Sequence, residues 1–282
     1  MITGRAYRWD AKDYARHSVS QLGWARQLLS KLHLKGDEYL LDLGCGDGKV
    51  TAEIARTIPY GLVIGIDNAS SMINLANATF ATNKFPNLKY IRASADTLPF
   101  CEKFDVIFSN AALHWIKDHK VILKEIAYCL RDEGRVIMQM GGKGNAAEVI
   151  SVIDEFLQLE PWRQYFKNFT FPYSFYTPED YRKWIAQAGL KLIRSELLEK
   201  DMQHAGPNVM AGWIRTTWLP YTERIPEKKR ESFVQEVVQR YIDRYPVDRE
   251  GNIHVKMVRL EVEAIKRKLP NQFKPLKHPN KQ

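Results

Sequence analysis

Cysteine is scarce in this chain of 282 residues: Cys45, Cys101 and Cys129 are odd in number and contain no Cys-x-x-Cys pair. That argues against a disulfide framework or a thiolate zinc site, and no other metal-ligand cluster stands out. Long apolar runs are also missing. Nothing approaches the roughly 20 residues that cross a bilayer, so stable membrane insertion is not expected. The opening Met1-Ile2-Thr3-Gly4-Arg5 leads into charged residues with no apolar stretch of a secretory signal. A cytoplasmic location is therefore the expectation.

The composition, 45% hydrophobic and 27% charged, is that of an ordinary globular protein. The formal net charge of +9 is unevenly spread. Lys266, Arg267, Lys268, Lys274, Lys277 and Lys281 crowd the last residues without an acid among them, alongside Pro270, Pro275 and Pro279. Residues 266–282 thus read as a basic disordered tail, and the rest of the chain is close to balance. No RNA-binding signature accompanies the tail, so no nucleic-acid partner is expected.

One stretch organises the remainder. Leu40-Leu41-Asp42-Leu43-Gly44-Cys45-Gly46-Asp47-Gly48 is an apolar run ending in three glycines at alternate positions. It predicts a buried strand, a tight turn and a helix from about Lys49. Glycine permits positive φ and close approach of a ligand, and the N–H groups at the start of the following helix would face that ligand. A dinucleotide fingerprint would place its third glycine at residue 49, which is lysine. The second run, Gly61 to Asp67, ends in an acid about twenty positions after the loop, the offset at which a carboxylate meets a ribose diol.

The pattern D-x-G-x-G-x-G followed by Asp67 resembles the first motifs of class I S-adenosylmethionine-dependent methyltransferases. The string Phe108-Ser109-Asn110-Ala111-Ala112-Leu113-His114-Trp115 and the run from His204 through Trp213, Arg215 and Tyr221 are most similar to the trans-aconitate methyltransferases. This resemblance spans about residues 7 to 264. It implies an α/β fold of the Rossmann-like class I type, with a seven-stranded, mostly parallel sheet, helices on both faces and a helical cap. The organisation it suggests is an N-terminal lid over 1–36, a cofactor-binding core over 37–142 and an inserted lobe over 143–176. The core would continue over 177–204, a helical cap insertion fill 205–250, and the last core strand occupy 251–265.

The same resemblance implies S-adenosyl-L-methionine as cofactor and assigns it residues of this chain. Asp42, Gly44, Cys45 and Gly46 would carry the methionine end, Asp67 and Asn68 the ribose, and Met72, Ala95 and Asp96 the adenine. Asn110 would lie near the sulfonium, while Tyr14 and Gln21 would reach over from the lid. Where relatives have L-x-P-G-G, this chain has Leu130-Arg131-Asp132-Glu133-Gly134, a departure that affects a turn and not the site.

Two chemistries fit the acceptor side. Most favoured is O-methylation of a small carboxylic acid to a methyl ester; a carboxylate is already ionised at neutral pH and needs cations and donors around it, for which Arg215 and His114 are candidates. Trp115 and Tyr221 would shape the substrate pocket. The other chemistry is O-, N- or C-methylation of a natural-product or lipid acceptor, with His114 as general base. A third reading, a non-catalytic protein that binds S-adenosylmethionine, is weighed down by the intact glycine loop and ribose acid.

Overall fold

The computed structural model describes residue 13, residues 19–80 and residues 84–268, with side chains in the first helix described from Leu22 onward. Seven strands run β1 (Tyr39–Leu43), β2 (Leu62–Asp67), β3 (Leu88–Arg92), β4 (Phe104–Asn110), β5 (Leu130–Gly141), β6 (Leu190–His204) and β7 (Ile253–Lys266). They form one sheet in the order β3-β2-β1-β4-β5-β7-β6. The first five are mutually parallel, and β7 lies antiparallel to both β5 and β6. The order reverses between β1 and β4, where such sheets bind ligands outside the carboxyl ends of their strands.

Alternation along each strand divides the core between the two faces. On one face Leu41, Leu43, Ile64, Ile107, Val136 and Met138 pack with Ile122, Leu123 and Ile126 of a helix over His119–Cys129 and with Tyr181 and Ile185 of a helix over Pro178–Gln187. On the other, Leu40, Val63, Val106, Phe108 and Ile137 meet Ala25, Leu28 and Leu32 at the N-terminal helix and Ala52 and Ala55 of the helix that follows the glycine loop. In chain order the helices are α1 (Val19–Leu29), α2 (Lys49–Thr57), α3 (Ser70–Thr79), α4 (His119–Cys129), α5 (Ala147–Phe156), α6 (Pro178–Gln187), α7 (Pro207–Thr217), α8 (Leu219–Thr222) and α9 (Glu227–Arg244). Thr177 and Asp180 of the Thr177-Pro178-Glu179-Asp180 run form a reciprocal capping box at the start of α6.

The two insertions share one apolar core. Val149, Val152, Ile153, Phe156, Trp162 and Phe166 from the first pack with Met210, Trp213, Tyr221, Phe233, Val237 and Tyr241 from the second. Trp24 of α1 and Met202, Val255 and Met257 at the ends of β6 and β7 join this cluster, which seats the cap on the sheet. β6, at the sheet edge, and β7 beside it are the longest strands, of 15 and 14 residues. Their pairing runs from His204 opposite Ile253 to Leu190 opposite Lys266, with a register shift between Leu192 and Arg194. β5 begins at Leu130 and takes the Arg131–Gly134 stretch into the sheet through a register irregularity opposite Phe104 and Val106.

A buried carboxylate ties the residues just after α1 to β7. Glu261 of β7 is only 1% exposed. It accepts from Lys31 Nζ at 2.5 Å, from Gln139 Nε2 at 3.0 Å and from the Arg194 guanidinium. Burial alone would raise its pKa, but these donors outweigh it and hold the carboxyl below the usual glutamate range. A lowered folded-state pKa gives stability that is present above the unfolded value and lost as pH falls through the folded one. We expect Glu261→Gln to cost about 2 kcal/mol at pH 7, below the full penalty for breaking an enclosed pair because Lys31 is half-exposed. Urea denaturation should show that difference shrinking as the pH is lowered below about 4.

Candidate functional site

The glycine loop is held by main-chain bonds to β2 and by a short polar chain beneath it. The N–H groups of Gly44 and Cys45 both donate to the Ile66 carbonyl, at 2.8 and 2.9 Å. Asp42 is buried in β1 and accepts from Thr51 Oγ1 of α2 at 2.8 Å. Burial pushes the Asp42 carboxyl up to about 7, against the Thr51 hydrogen bond and with the nearby Asp67 charge adding to the rise. Gly44, Gly46 and Gly48 all have positive φ, at +76°, +54° and +81°. Cys45 between them is buried, and its thiol is pushed well above the ordinary range by desolvation and the surrounding carboxylates.

Each glycine has its own geometric reason. A Cβ on Gly44 would lie 2.2 Å from Ala112 Cβ in the loop after β4, so glycine lets the two loops close on each other. A Cβ on Gly48 would meet the Tyr90 hydroxyl at 2.5 Å, and that hydroxyl donates to the Gly48 carbonyl at 2.8 Å. Around Gly46 the space is open, which leaves its backbone face available to a ligand. Asp67, at the carboxyl end of β2, accepts from Gly46 N–H at 3.1 Å and from Ala69 N–H at 2.9 Å. Desolvation raises its pKa, opposed by these N–H donors.

The carboxyl ends of β2 and β3 bring the expected adenine and ribose residues together. Asp67 is in register with Arg92, and Ala93 N–H donates to the Asp67 carbonyl at 3.1 Å. Asn68 is exposed, with its carbonyl taking the Arg92 Nε at 3.1 Å. Met72 is buried in the first turn of α3, Ala95 is partly buried, and Asp96 is exposed in the loop after β3. Tyr14 lies outside the described residues, as does the side chain of Gln21.

Asn110 ends β4 at the point of strand-order reversal, in register with Gln139. Ala111 takes a positive φ of 56° and donates its N–H to the Gln139 carbonyl at 2.8 Å. A single 3₁₀ turn, Leu113–Trp115, follows. His119 locks this turn from below: its Nε2 donates to the Leu113 carbonyl at 2.9 Å and its Nδ1 accepts from Tyr181 Oη at 2.6 Å. Burial drops the His119 pKa to about 4, so it stays neutral at physiological pH.

His114 itself faces the ends of β5 and the cap. Its Nδ1 accepts from Gly141 N–H at 3.4 Å. Its ring lies about 6 Å from those of Trp115, Tyr173 and Phe175. Desolvation holds its pKa well below the ordinary histidine value, with the charge of Arg259 adding to the effect. The aromatic stretch after α5 is fastened onto this turn: Ser174 N–H donates to the His114 carbonyl at 2.9 Å, Lys117 Nζ to the Phe171 carbonyl at 2.6 Å, and Tyr176 Oη to the Lys117 carbonyl at 2.6 Å. Trp115 meets Tyr173 edge to face at 4.9 Å.

Two expected residues stand apart from this group. Arg215 of α7 gives its guanidinium to Asp13, at 2.8 and 3.4 Å, and lies 3.8 Å from Glu231. It ties Asp13 to the cap. Tyr221 is fully buried in the cap, its ring 4.7 Å from that of Phe169. Conversely, sequence reasoning passed over Tyr90, Gly65, His119 and Arg259. Gly65 and Arg259 did carry a signal. A glycine inside an apolar strand marks a close approach, here of Tyr90, Cys45 and Thr51, and an arginine at an inward strand position marks an intended buried charge.

Two substitutions test the cradle. Gly44→Ala forces the loops apart and should weaken S-adenosylhomocysteine binding by at least about tenfold, since a fixed Cβ cannot share space with Ala112. Tyr90→Phe removes one hydrogen bond to the loop and should weaken it by about threefold to tenfold, measured by calorimetric titration.

Residues 41–138 match the family model for a methyltransferase domain. An uncharacterized methyltransferase of Schizosaccharomyces pombe is 33% identical over 234 residues, covering 78% of this chain and 84% of that protein. A trans-aconitate 2-methyltransferase of Rhizobium etli is 26% identical over 261 residues, covering 92% of this chain and 99% of its own. Among solved structures, geranyl diphosphate C-methyltransferase from Streptomyces coelicolor, determined with S-adenosyl-L-homocysteine, shares the fold with a TM-score of 0.54 at 18% identity, covering 86% of this chain and 75% of that one. The open backbone at Gly46, the acid at Asp67 and the closed β1 and β4 loops fit that cofactor. The chain belongs to the class I S-adenosylmethionine-dependent methyltransferases.

Proposed function

We propose that the enzyme methylates a carboxylate oxygen of a small organic acid, giving a methyl ester. The observation that carries this reading is the state of His114. Its Nδ1 is occupied by the Gly141 N–H, so the neutral ring carries its proton on Nε2 and offers a donor there. Its pKa lies well below the usual value, so the ring does not take up a proton near neutral pH. A residue in that state suits a group that is already anionic and requires no base. A hydroxyl acceptor would instead require a proton acceptor at the same position.

When bound, S-adenosylmethionine supplies a methyl group on a positively charged sulfur, open to in-line displacement. The chain's part is positioning and exclusion of water. Asp67 and the Gly46 backbone would orient the ribose and the methionine end, with Asn110 beside the reacting groups. His114 Nε2–H would hold the acceptor oxygen that does not attack. Trp115, Tyr173 and Phe175 would close the apolar side of the pocket. Arg215, bonded to Asp13, would serve as an anchor on the cap and not as the acceptor's partner. The likeness to trans-aconitate 2-methyltransferases over most of both chains supports a small polycarboxylate as the first acceptor to try.

Transfer of a labelled methyl group into a pool of carboxylic acids, phenols and amines, followed by mild alkali, tests the reading. Label should be released as methanol. Label that survives alkali would point to a hydroxyl, amine or carbon acceptor. The rate should be flat above about pH 6 and fall only as the substrate carboxyl protonates. His114→Asn should lower kcat/KM by about tenfold, the effect of losing one donor, and not by the hundredfold to ten-thousandfold expected for a general base.

A further inference from the structure

The helix α5 commits one face to the core of the cap and keeps another for a cavity. Val149, Val152, Ile153 and Phe156 are buried in the cap, whereas Ile150, Asp154 and Gln158 recur four residues apart along a second stripe. Between that stripe and the chain that follows lies a cavity of about 540 Å³, within the range that holds a small molecule. Phe166, Phe169 and Phe171 give it an apolar wall, and Arg163 and Lys167 line it as well. Among the described residues, none of the glycine loop or of the His114 turn takes part, so this cavity is separate from the cofactor crevice.

The cavity brings together charges that do not meet. Asp154 makes no side-chain hydrogen bond or ion pair among the described residues, and neither do Arg163 and Lys167, although all three line the same space. Asp154 is partly desolvated there, which raises its carboxyl pKa. A second, independent signal lies behind the aromatic wall. The Tyr221 hydroxyl is buried without a hydrogen-bond partner, its ring is 4.7 Å from that of Phe169, and the charge of Asp154 reaches it. An enclosed hydroxyl with no partner is unfavourable, and a polar group supplied from the Asp154 side would relieve it. We propose that this cavity binds a free α-amino acid with an apolar side chain. Its ammonium is received by Asp154 with the Tyr221 hydroxyl behind, its carboxylate by Arg163 and Lys167, and its side chain by Phe166, Phe169 and Phe171. An anion alone would face Asp154, and a cation alone would face Arg163 and Lys167. A zwitterion satisfies both sides.

Binding is read by calorimetric titration of the full chain saturated with S-adenosylhomocysteine, whose own amino-acid end then occupies its place in the crevice. The probes are L-phenylalanine and L-leucine, each beside the amine that lacks its carboxylate and the acid that lacks its ammonium. At least one amino acid should bind, with its one-charge counterparts weaker by about tenfold or more, the worth of a hydrogen bond to a charged group. Asp154→Asn should weaken the amino acid by about tenfold and leave the acid counterpart no weaker. Arg163→Gln combined with Lys167→Gln should do the same while leaving the amine no weaker, and Tyr221→Phe should cost about threefold. Affinity for S-adenosylhomocysteine within about twofold of wild type reports that each variant folds. The proposal is overturned if neither amino acid binds at about 10 mM, if a one-charge counterpart binds as tightly as the amino acid, or if Asp154→Asn stays within about threefold of wild type.

Discussion

The structure depends on one close approach, that of the loop after β1 to the loop after β4. Gly44 and Ala112 meet with no room for a further carbon. Because β1 and β4 are neighbours whose connections depart in opposite directions across the sheet, this contact forms the floor of the crevice at the strand-order reversal. Everything functional is arranged around it. Asp67 and the open Gly46 backbone lie on the β2 side, while Asn110, His114 and the ends of β5 and β7 lie on the other. Widening the contact would shift the cofactor side and the acceptor side relative to each other, and in-line transfer tolerates little misplacement.

The buried polar groups are distributed with the same logic. Asp42, Thr51 and Tyr90 stiffen the glycine loop from beneath, and His119 with Tyr181 stiffens the turn that carries His114. Both histidines are kept neutral by burial, one as a donor to the Leu113 carbonyl and the other facing Trp115, Tyr173 and Phe175. The aromatic loop is then stitched to that turn by main-chain contacts on both sides of His114. A rigid turn under a rigid aromatic wall is the kind of pre-organised surface that in-line transfer from a sulfonium calls for.

Much of this was legible in the sequence because it depends on local pattern. The apolar runs of β1, β2 and β4 are buried on both faces and stand out from their neighbours, and the alternate glycines and the acid at Asp67 fall at fixed spacing from them. The Thr177 capping box and the α7 boundaries were likewise written in adjacent residues. What escaped was long-range. Arg215 finds its partner in Asp13, 202 positions away, and Glu261 draws Lys31 and Gln139 from 230 and 122 positions away. Spacing along a chain cannot tell a cation facing a ligand from one facing a distant carboxylate. Arg259 is the converse case: its inward position in β7 was visible, but only the register with Gly141 brings it beside His114.

The account stands on the claim that the β1 loop and Asp67 together hold an S-adenosyl cofactor. The most direct measurement is calorimetric titration of S-adenosylhomocysteine and of a nicotinamide dinucleotide into the wild type and Asp67→Ala. The wild type should bind S-adenosylhomocysteine and ignore the dinucleotide, and Asp67→Ala should weaken the former by about ten- to a hundredfold, the worth of hydrogen bonds to a charged acceptor. Binding of S-adenosylhomocysteine that is indifferent to Asp67, or preferential binding of the dinucleotide, would contradict it.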